Sequence, residues 1–365
     1  MFPFQDIPTD KKLPSKCRLP GSPPPFLYKS DRPSPSLRLK GEIFNSISIP
    51  MAPEPTAAGR EATTIEDLHD DILTRALGLL DGPALAASSC ATAHLRSLST
   101  QPHLWRDLCF STWPSLRHPR LLHLLPSFPH SHHSFFSDAH PFPFPRASIA
   151  AGEGRRLTEL ISAVDLCHDG APIFSRVVET ETTTPWFQGA PFRIDAIERK
   201  DPAAATPTIS PAELTLSWVV IDPVGLRAVN LSSRRPVAVD RHWYTAETLV
   251  RFATVLEAGG SVYSAAVVVT CGEETGHVRE ASLTVENLDG ACLNGRVSLG
   301  ILGATLEGER RRETEGETME RYEEFSKARR RRKERTVRRE RMLDMLCTGL
   351  GVSVFLSFLL MMAFR

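Results

Sequence analysis

The segment MLCTGLGVSVFLSFLLMMAF, residues 345–364, constrains this chain more than any other feature. None of its side chains is charged. As an α-helix the segment is about 30 Å long, which matches the hydrocarbon thickness of a bilayer. We therefore predict a transmembrane helix over residues 345–364. A buried core helix or a seam between helices is the alternative.

A strongly basic segment precedes the apolar one. KARRRRKERTVRRER occupies residues 327–341, and residues 309–344 as a whole favour a charged helix. Such a run is typical of a nuclear-localisation or nucleic-acid patch, or of a juxtamembrane block that binds anionic lipid headgroups. The adjacent apolar segment favours the juxtamembrane interpretation, so we expect a tail anchor inserted after translation and no nucleic acid partner. The bulk of the chain is expected in the cytosol, or in the nucleus or cytoplasm if the tail is not inserted. The predicted membrane-flanking residues are Arg329, Arg330, Arg331, Arg332, Lys333, Arg338, Arg339 and Arg341.

Residues 1–62 are rich in proline, serine and basic side chains and show no sustained hydrophobic period. Such a composition buries too little apolar surface to offset chain entropy, so we predict a disordered leader. The leader has no continuous apolar stretch of the kind that a secretory signal peptide needs. A transit peptide is the alternative, and Met51 is a second possible translation start.

Residues 150–308 alternate between short apolar runs and breaks at Gly, Pro, Asn and Asp. The pattern predicts about nine strands and one helix, TAETLVRFATVLEAGG, over residues 245–260. A mainly antiparallel β sandwich or barrel-like domain is expected. Its aromatic side chains Trp186, Trp218, Trp243 and Tyr244 are interpreted as core or rim packing, with a recognition groove as the alternative.

Residues 112–149 are rich in proline, histidine and phenylalanine, which indicates a linker or a surface loop. A metal site needs ligands at fixed geometry. The irregular spacing of the histidines favours polar loop residues instead, and no metal is expected. They are His118, His123, His130, His132, His133 and His140.

Residues 63–111 form a helical unit of four short pieces. One apolar stripe, Leu68, Ile72, Leu73, Ala76, Leu77 and Leu80, follows helical spacing in the first piece. A unit of under 50 residues buries little on its own. The stripe therefore predicts a docking surface for another protein, or else a cap packed on the β domain.

The stretch LHDDILTRALGLLDGPALAASSCATAHLRSLSTQPHLWRDLC resembles the F-box, with His69 at the position where that family usually has proline. The order of the segments is similar to a plant F-box subfamily that has a β-rich C-terminal region and a hydrophobic tail. The resemblance implies that the leucine stripe binds the SKP-type adaptor of a cullin-based ubiquitin ligase. The implied adaptor-binding residues are Leu68, Ile72, Leu73, Leu77, Leu80, Pro83, Leu85, Leu104 and Trp105.

The resemblance further implies a non-catalytic substrate-recognition subunit of an SCF-type ligase, whose β-rich region recruits an unknown protein for ubiquitination. Its partners are then the adaptor, the cullin behind it and a membrane, and no cofactor is expected. The alternative is a soluble nuclear scaffold or a lectin-like ligand-binding β-module. The fold class is α+β and multi-domain: a small all-α unit, the β domain, then a basic helix running into a transmembrane helix.

The sequence offers little support for an independent active site. Basic and acidic side chains number 43 each, so no global field attracts nucleic acid. The seven cysteines lie far apart, are odd in number and include no CxxC pair, which argues against a disulfide framework and a structural zinc site and indicates a reducing compartment. DLCHDG, residues 165–170, places Cys, His and Asp side by side, but neighbouring residues of a strand point to opposite faces. We interpret it as a strand that ends in a turn.

Overall fold

The computed structural model describes residue 65 and residues 68–144, 157–198, 210–272, 277–312 and 314–365. The predicted leader, residues 1–62, lies outside these residues. The described chain is helical at its N-terminal side, continues as antiparallel sheets and ends in one long helix, as the sequence predicts.

Six short helices form the N-terminal helical region. Their bounds are α1 (Asp70–Leu77), α2 (Gly82–Ser88), α3 (Ala93–Ser99), α4 (Pro102–Thr112), α5 (Pro119–Leu124) and α6 (His132–Ala139). The first four match the four predicted pieces. Side-chain caps begin three of these four: His69 accepts the amide of Asp71 at 3.3 Å, Asp81 that of Ala84 at 2.8 Å, and Thr92 that of Leu95 at 3.2 Å. Such caps satisfy the free N–H groups of a first helical turn.

The segment predicted as a linker or surface loop, residues 112–149, differs from that prediction. It contains α5 and α6, and Leu121, Leu125 and Phe135 are fully buried. Three of its prolines, Pro114, Pro119 and Pro126, stand in the first turn of a short helix, where a missing N–H costs nothing. The phenylalanines supply the core of the helical region.

Three antiparallel sheets follow. Their strands are β1 (Phe142–Pro143), β2 (Glu159–His168), β3 (Ala171–Glu181), β4 (Arg193–Glu198), β5 (Leu214–Asp222), β6 (Arg227–Asn230), β7 (Ala238–Arg241), β8 (Thr248–Ala258), β9 (Ser261–Cys271), β10 (Val278–Asn287) and β11 (Arg310–Arg311). The four-stranded sheet has the order β3-β2-β5-β6, the five-stranded sheet has the order β4-β10-β9-β8-β7, and β1 pairs with β11. Two further helices accompany them, α7 (Pro185–Gly189) and α8 (Gly295–Glu307).

The two inner strands of the four-stranded sheet, β2 and β5, are buried on both faces, whereas the edge strand β3 is largely exposed. On β5, Leu216 and Trp218 join a hydrophobic cluster with the five-stranded sheet and α8. The alternate residues Val219 and Ile221 join the cluster of the helical region. The period of two along a strand thus directs successive side chains into two different cores.

Two predicted elements inside the β-rich region have the opposite secondary structure. Residues 245–260, predicted as a helix, contain β8, and Gly259 and Gly260 form the two-residue turn to β9 with positive φ angles of 58° and 73°. These glycines indicate a hairpin rather than a helix end. Residues 295–307, predicted as strand segments, form α8, because Asn294 caps the helix and its apolar residues pack on the sheets.

The last element, α9 (Glu315–Ala363), is one continuous helix of 49 residues. It joins the predicted basic helix and the predicted transmembrane helix without a break. Thr314 and Glu317 begin it with a reciprocal capping box.

Candidate functional site

The apolar stripe of α1 divides between two environments. Leu73 and Leu77 are 6% and 5% exposed and pack into the helical cluster. Ile72 is 56% exposed, and Leu68 and Leu80 are also exposed. A turn of 3.6 residues places these two sets on different sides of the helix. One half of the stripe is therefore core, and the other half faces solvent.

The remaining predicted adaptor-binding residues lie inside the helical region. Leu85, Leu104 and Trp105 are buried in its cluster, and Pro83 is half-buried. The indole Nε1 of Trp105 donates to the carbonyl of Ser99 at 2.8 Å. Like Leu73 and Leu77, Leu85, Leu104 and Trp105 are buried in the free chain, and their contact with the adaptor stays a prediction.

Two exposed apolar residues join this side and were missed from the sequence. Ile65 is 59% exposed, and Leu79 is 89% exposed. Leu79 lies in the turn that follows α1, two residues after the helix ends at Leu77. The pair of leucines before the Asp81 cap was the available signal. We call Ile65, Leu68, Ile72, Leu79 and Leu80 the apolar ridge.

Polar contacts join the helical region to the four-stranded sheet. The backbone N–H and hydroxyl of Ser115 donate to Oδ1 and Oδ2 of Asp165 at 2.8 and 2.6 Å. Burial raises the pKa of Asp165, although these hydrogen bonds oppose the shift. Trp113 donates to the hydroxyl of Ser217 at 2.8 Å. The helical region is thus both a cap on the β-rich region and the carrier of the apolar ridge.

Asp165 opens the DLCHDG stretch, and the structure does not assemble a nucleophile there. Burial and the nearby Asp165 carboxylate both raise the pKa of the Cys167 thiol, which disfavours the reactive thiolate. His168 faces two carboxylates through different ring nitrogens: Nδ1 lies 3.9 Å from Asp169 and Nε2 lies 3.5 Å from Glu213. One ligand atom each from His168, Asp169 and Glu213 lies within 4.8 Å of the others, so these three residues could hold a metal ion, although both carboxylates are exposed.

The histidines of residues 118–140 have structural positions. His118 caps α5, and His133 and His140 contact the rings of Trp105 and Phe136. Burial, together with the nearby charges of Arg234 and Arg312 and against the opposing charge of Asp81, lowers the pKa of His140 to about 4. Neutral rings packed on aromatic side chains are consistent with a core role.

The predicted membrane-flanking residues separate into two groups. Arg329 binds Glu286 at 3.0 Å, and Arg332 binds Asp289 at 2.6 Å. The others are exposed along α9: Arg330, Arg331, Lys333, Arg338, Arg339 and Arg341. Beyond them, the apolar part of α9 has a mean hydropathy of 2.1 over its most apolar window, and none of that window is buried.

The aromatic residues of the β-rich region also differ in position. Trp218 is fully buried between the sheets. Trp186 on α7 is 80% exposed, and Trp243 and Tyr244 in the β7–β8 turn are each 78% exposed. The turn is ordered, because the His242 amide donates to the Glu247 carbonyl at 2.7 Å and the Ala246 amide to the His242 carbonyl at 2.9 Å. Core packing therefore explains Trp218 alone.

Comparison with known proteins identifies the family. No family model and no solved structure matches the chain. Probable F-box protein At2g36090 of Arabidopsis thaliana is 44% identical over 323 residues, which cover 83% of this chain and 95% of that protein. F-box protein At2g27310 is 37% identical over 82% of this chain and 97% of its own length, and F-box protein At3g44326 is 34% identical over 87% and 95%; both are also from Arabidopsis thaliana. Similarity at this level over nearly whole chains confirms the resemblance drawn from the sequence, and the chain belongs to the plant F-box protein family.

Proposed function

We propose that this protein is the substrate-recognition subunit of an SCF-type ubiquitin ligase and binds the SKP-type adaptor through the apolar ridge. The observation that carries the proposal is the exposure of Ile72 on α1, whose other side is already packed, and of Leu79 in the turn that follows this helix. A solvent-facing row of large aliphatic side chains is typical of a protein interface. The chain then contributes binding and positioning, and other subunits carry out ubiquitin transfer.

The ridge can be removed without disturbing the core. Ile72→Asp with Leu79→Asp places two charges where the adaptor must exclude water, while both positions stay solvated in the free chain. We expect calorimetric titration with a purified SKP-type adaptor to lose binding. The matched control is Leu122→Asp, on α5 with 43% exposure, which should bind as the wild type does. Unchanged binding by the ridge variant would contradict the proposal.

We propose that the β-rich region, as a two-sheet sandwich, recruits the target through the β7–β8 turn. Trp243 and Tyr244 contact each other with ring centroids 5.6 Å apart. Tryptophan and tyrosine dominate the energetics of protein interfaces, and an ordered turn loses little entropy on binding. Replacing both residues by serine should leave adaptor binding intact. It should also remove specific ubiquitinated peptides from cells treated with a proteasome inhibitor, whereas Trp186→Ser should not.

The apolar part of α9 is proposed to anchor the protein in a membrane, with the rest of the chain in the cytosol. The support is its length, its lack of charge and the exposure of every side chain from Met345 to Phe364. The full chain should resist carbonate extraction, and a chain ending at Arg341 should be extracted. A full chain recovered in the nuclear soluble fraction would instead support the nuclear scaffold.

A further inference from the structure

The first part of α9 is docked on the β-rich region. Thr318 and Phe325 on this helix are buried. The helix packs against β8 of the five-stranded sheet. From about Lys333 onward the helix residues are mostly exposed. The helix therefore leaves the body of the protein near Arg332.

Two ion-pair contacts hold α9 at this exit point. Glu286 is 7% exposed and accepts Nη1 of Arg251 at 3.2 Å and Nη1 of Arg329 at 3.0 Å. One turn further along, Nε of Arg332 lies 2.6 Å from Asp289. Between them, Gly290 has φ of 78°, and a Cβ added there would meet the guanidinium of Arg329. We call these contacts the clasp.

The distance from the clasp to the apolar segment follows from helix geometry. Arg332 precedes Met345 by 13 residues, or about 20 Å at about 1.5 Å per residue. A tilt of about 20°, which is average for transmembrane helices, shortens this by only about 6%. The headgroup layer on each side of the hydrocarbon is about 5–8 Å thick. Arg332 and the clasp therefore stand outside that layer.

The same geometry separates the exposed arginines. Arg338 and Arg341 precede Met345 by seven and four residues, so their backbone lies about 6–10 Å from the hydrocarbon edge, where a long arginine side chain reaches the headgroup layer. Arg330 and Arg331 lie about 21 Å or more from that edge. Salt screens charges over about 8 Å at physiological ionic strength, so these two interact weakly with lipid.

We propose that residues 333–344 of α9 form a rigid helical spacer, clasped to the body at one end and bound to anionic lipid headgroups by Arg338, Arg339 and Arg341 at the other. This proposal rests on the membrane anchoring proposed above. The spacer holds the body about 20 Å above the hydrocarbon at a fixed orientation. The basic run is then divided by function: Arg329 and Arg332 bind protein, and the last three arginines bind lipid.

The β7–β8 turn lies far from the clasp along the five-stranded sheet. In the sheet register Thr248 pairs with Cys271 next to the β7–β8 turn, whereas Glu286 pairs with Ser264 at the other end of the strands. Trp243 and Tyr244 thus lie at the end of the five-stranded sheet opposite to the clasp.

Fluorescence energy transfer from a donor on the body of the protein to an acceptor in the membrane measures the height of the body above the bilayer. Cys292 is exposed and pairs with Glu286 in an isolated bridge, so it reports the position of the clasp. The full chain, with Cys17, Cys90, Cys167 and Cys347 replaced by serine, is labelled at Cys292. It is then reconstituted into vesicles of phosphatidylcholine and phosphatidylserine at a ratio of 7:3 that carry a headgroup acceptor dye.

Seven helix-favouring residues inserted after Glu334 add two turns, or about 10 Å, with almost no rotation. We expect energy transfer to fall by the amount that this added distance requires. Replacing residues 333–337 by a flexible Gly/Ser sequence should broaden the distribution of donor fluorescence lifetimes, because the height of the body is then no longer fixed. Unchanged transfer after the insertion overturns the spacer while leaving the anchor intact. Failure of the wild-type chain to float with the vesicles overturns the anchor, and the spacer with it.

The lipid contact is tested in the same vesicles. A donor dye is placed near the helix exit, and the acceptor is either fluorescent phosphatidylserine or fluorescent phosphatidylcholine. The wild-type chain should show more energy transfer to the phosphatidylserine. Arg338→Gln, Arg339→Gln and Arg341→Gln together should abolish this excess. The matched triple variant Arg330→Gln, Arg331→Gln and Arg335→Gln should retain it. Equal loss in both triple variants overturns the assignment of lipid binding to the last turn.

Discussion

The neighbouring residues Ile72 and Leu73 should respond to the same substitution in opposite ways. Leu73 is 6% exposed, and truncating a buried leucine to alanine costs about 2–5 kcal/mol. For a chain of this size that lowers Tm by on the order of 5–10 °C. Ile72 is 56% exposed, and surface substitutions stay within about 0.5 kcal/mol. Ile72→Ala should therefore leave Tm unchanged.

The affinity for the adaptor should fall for Ile72→Ala and change little for Leu73→Ala, which is the reverse of the order expected for Tm. Docking buries the exposed half of the Ile72 side chain, which contributes about 1–1.5 kcal/mol and makes Ile72→Ala bind about 5–10-fold more weakly. Leu73→Ala should bind with near-normal affinity below its lowered Tm, because Leu73 supports the ridge from inside. Scanning fluorimetry and calorimetry on the full chain in detergent measure both quantities, with Leu122→Ala as the control. The reasoning is refuted if Ile72→Ala destabilises the fold as strongly as Leu73→Ala, or if it binds the adaptor normally.

Three further predictions concern the core, the clasp and acid stability. Gly82→Ala would overlap the ring of Phe136 and should cost about 1–3 kcal/mol, seen as a lower Tm. Arg329→Gln removes one partner of the buried Glu286 and should speed hydrogen exchange over residues 315–332 by about tenfold, whereas Arg330→Gln should not. Because the folded chain lowers the pKa of His140 to about 4, it binds fewer protons there than the unfolded chain, and stability falls as the pH drops from about 6.5 to about 4. His140→Phe should remove about 1–2 kcal/mol of that loss, allowing for solvent screening, in urea titrations at pH 7 and pH 4.5; an unchanged difference between the two pH values would contradict it.

Local sequence signals predicted those elements that are stabilised by contacts within a few residues of the chain. The caps at Asp81 and Thr92 and the helical spacing around Leu73 and Trp105 act within a few residues, so the four short helices follow from them. The long apolar run predicted the end of α9 for the same reason. The family resemblance also rested on side chains within about 45 consecutive residues, and the comparisons confirmed it.

Long-range contacts determined the structure of those segments whose local sequence pattern fits more than one kind of element. Residues 248–258 have apolar residues compatible with either period, and pairing with β7 and β9 makes them a strand. Phe135 and Leu121 lie in a segment that reads as a loop, yet the outer face of β2 and β5 gives them a core to fill.

The features of the candidate site are likewise of two kinds: some follow from neighbouring residues, and others depend on distant contacts. The sequence by itself determined that a leucine stripe, a β-rich region and a basic-apolar tail exist, because composition and periodicity act over neighbouring residues. Only the tertiary structure decided that Leu73 and Leu77 face inward while Ile72 and Leu79 face solvent, and that Arg329 and Arg332 are bound to Glu286 and Asp289. Side chains on one helix have the same local pattern whether they meet protein or solvent, and only the packing of distant segments distinguishes them.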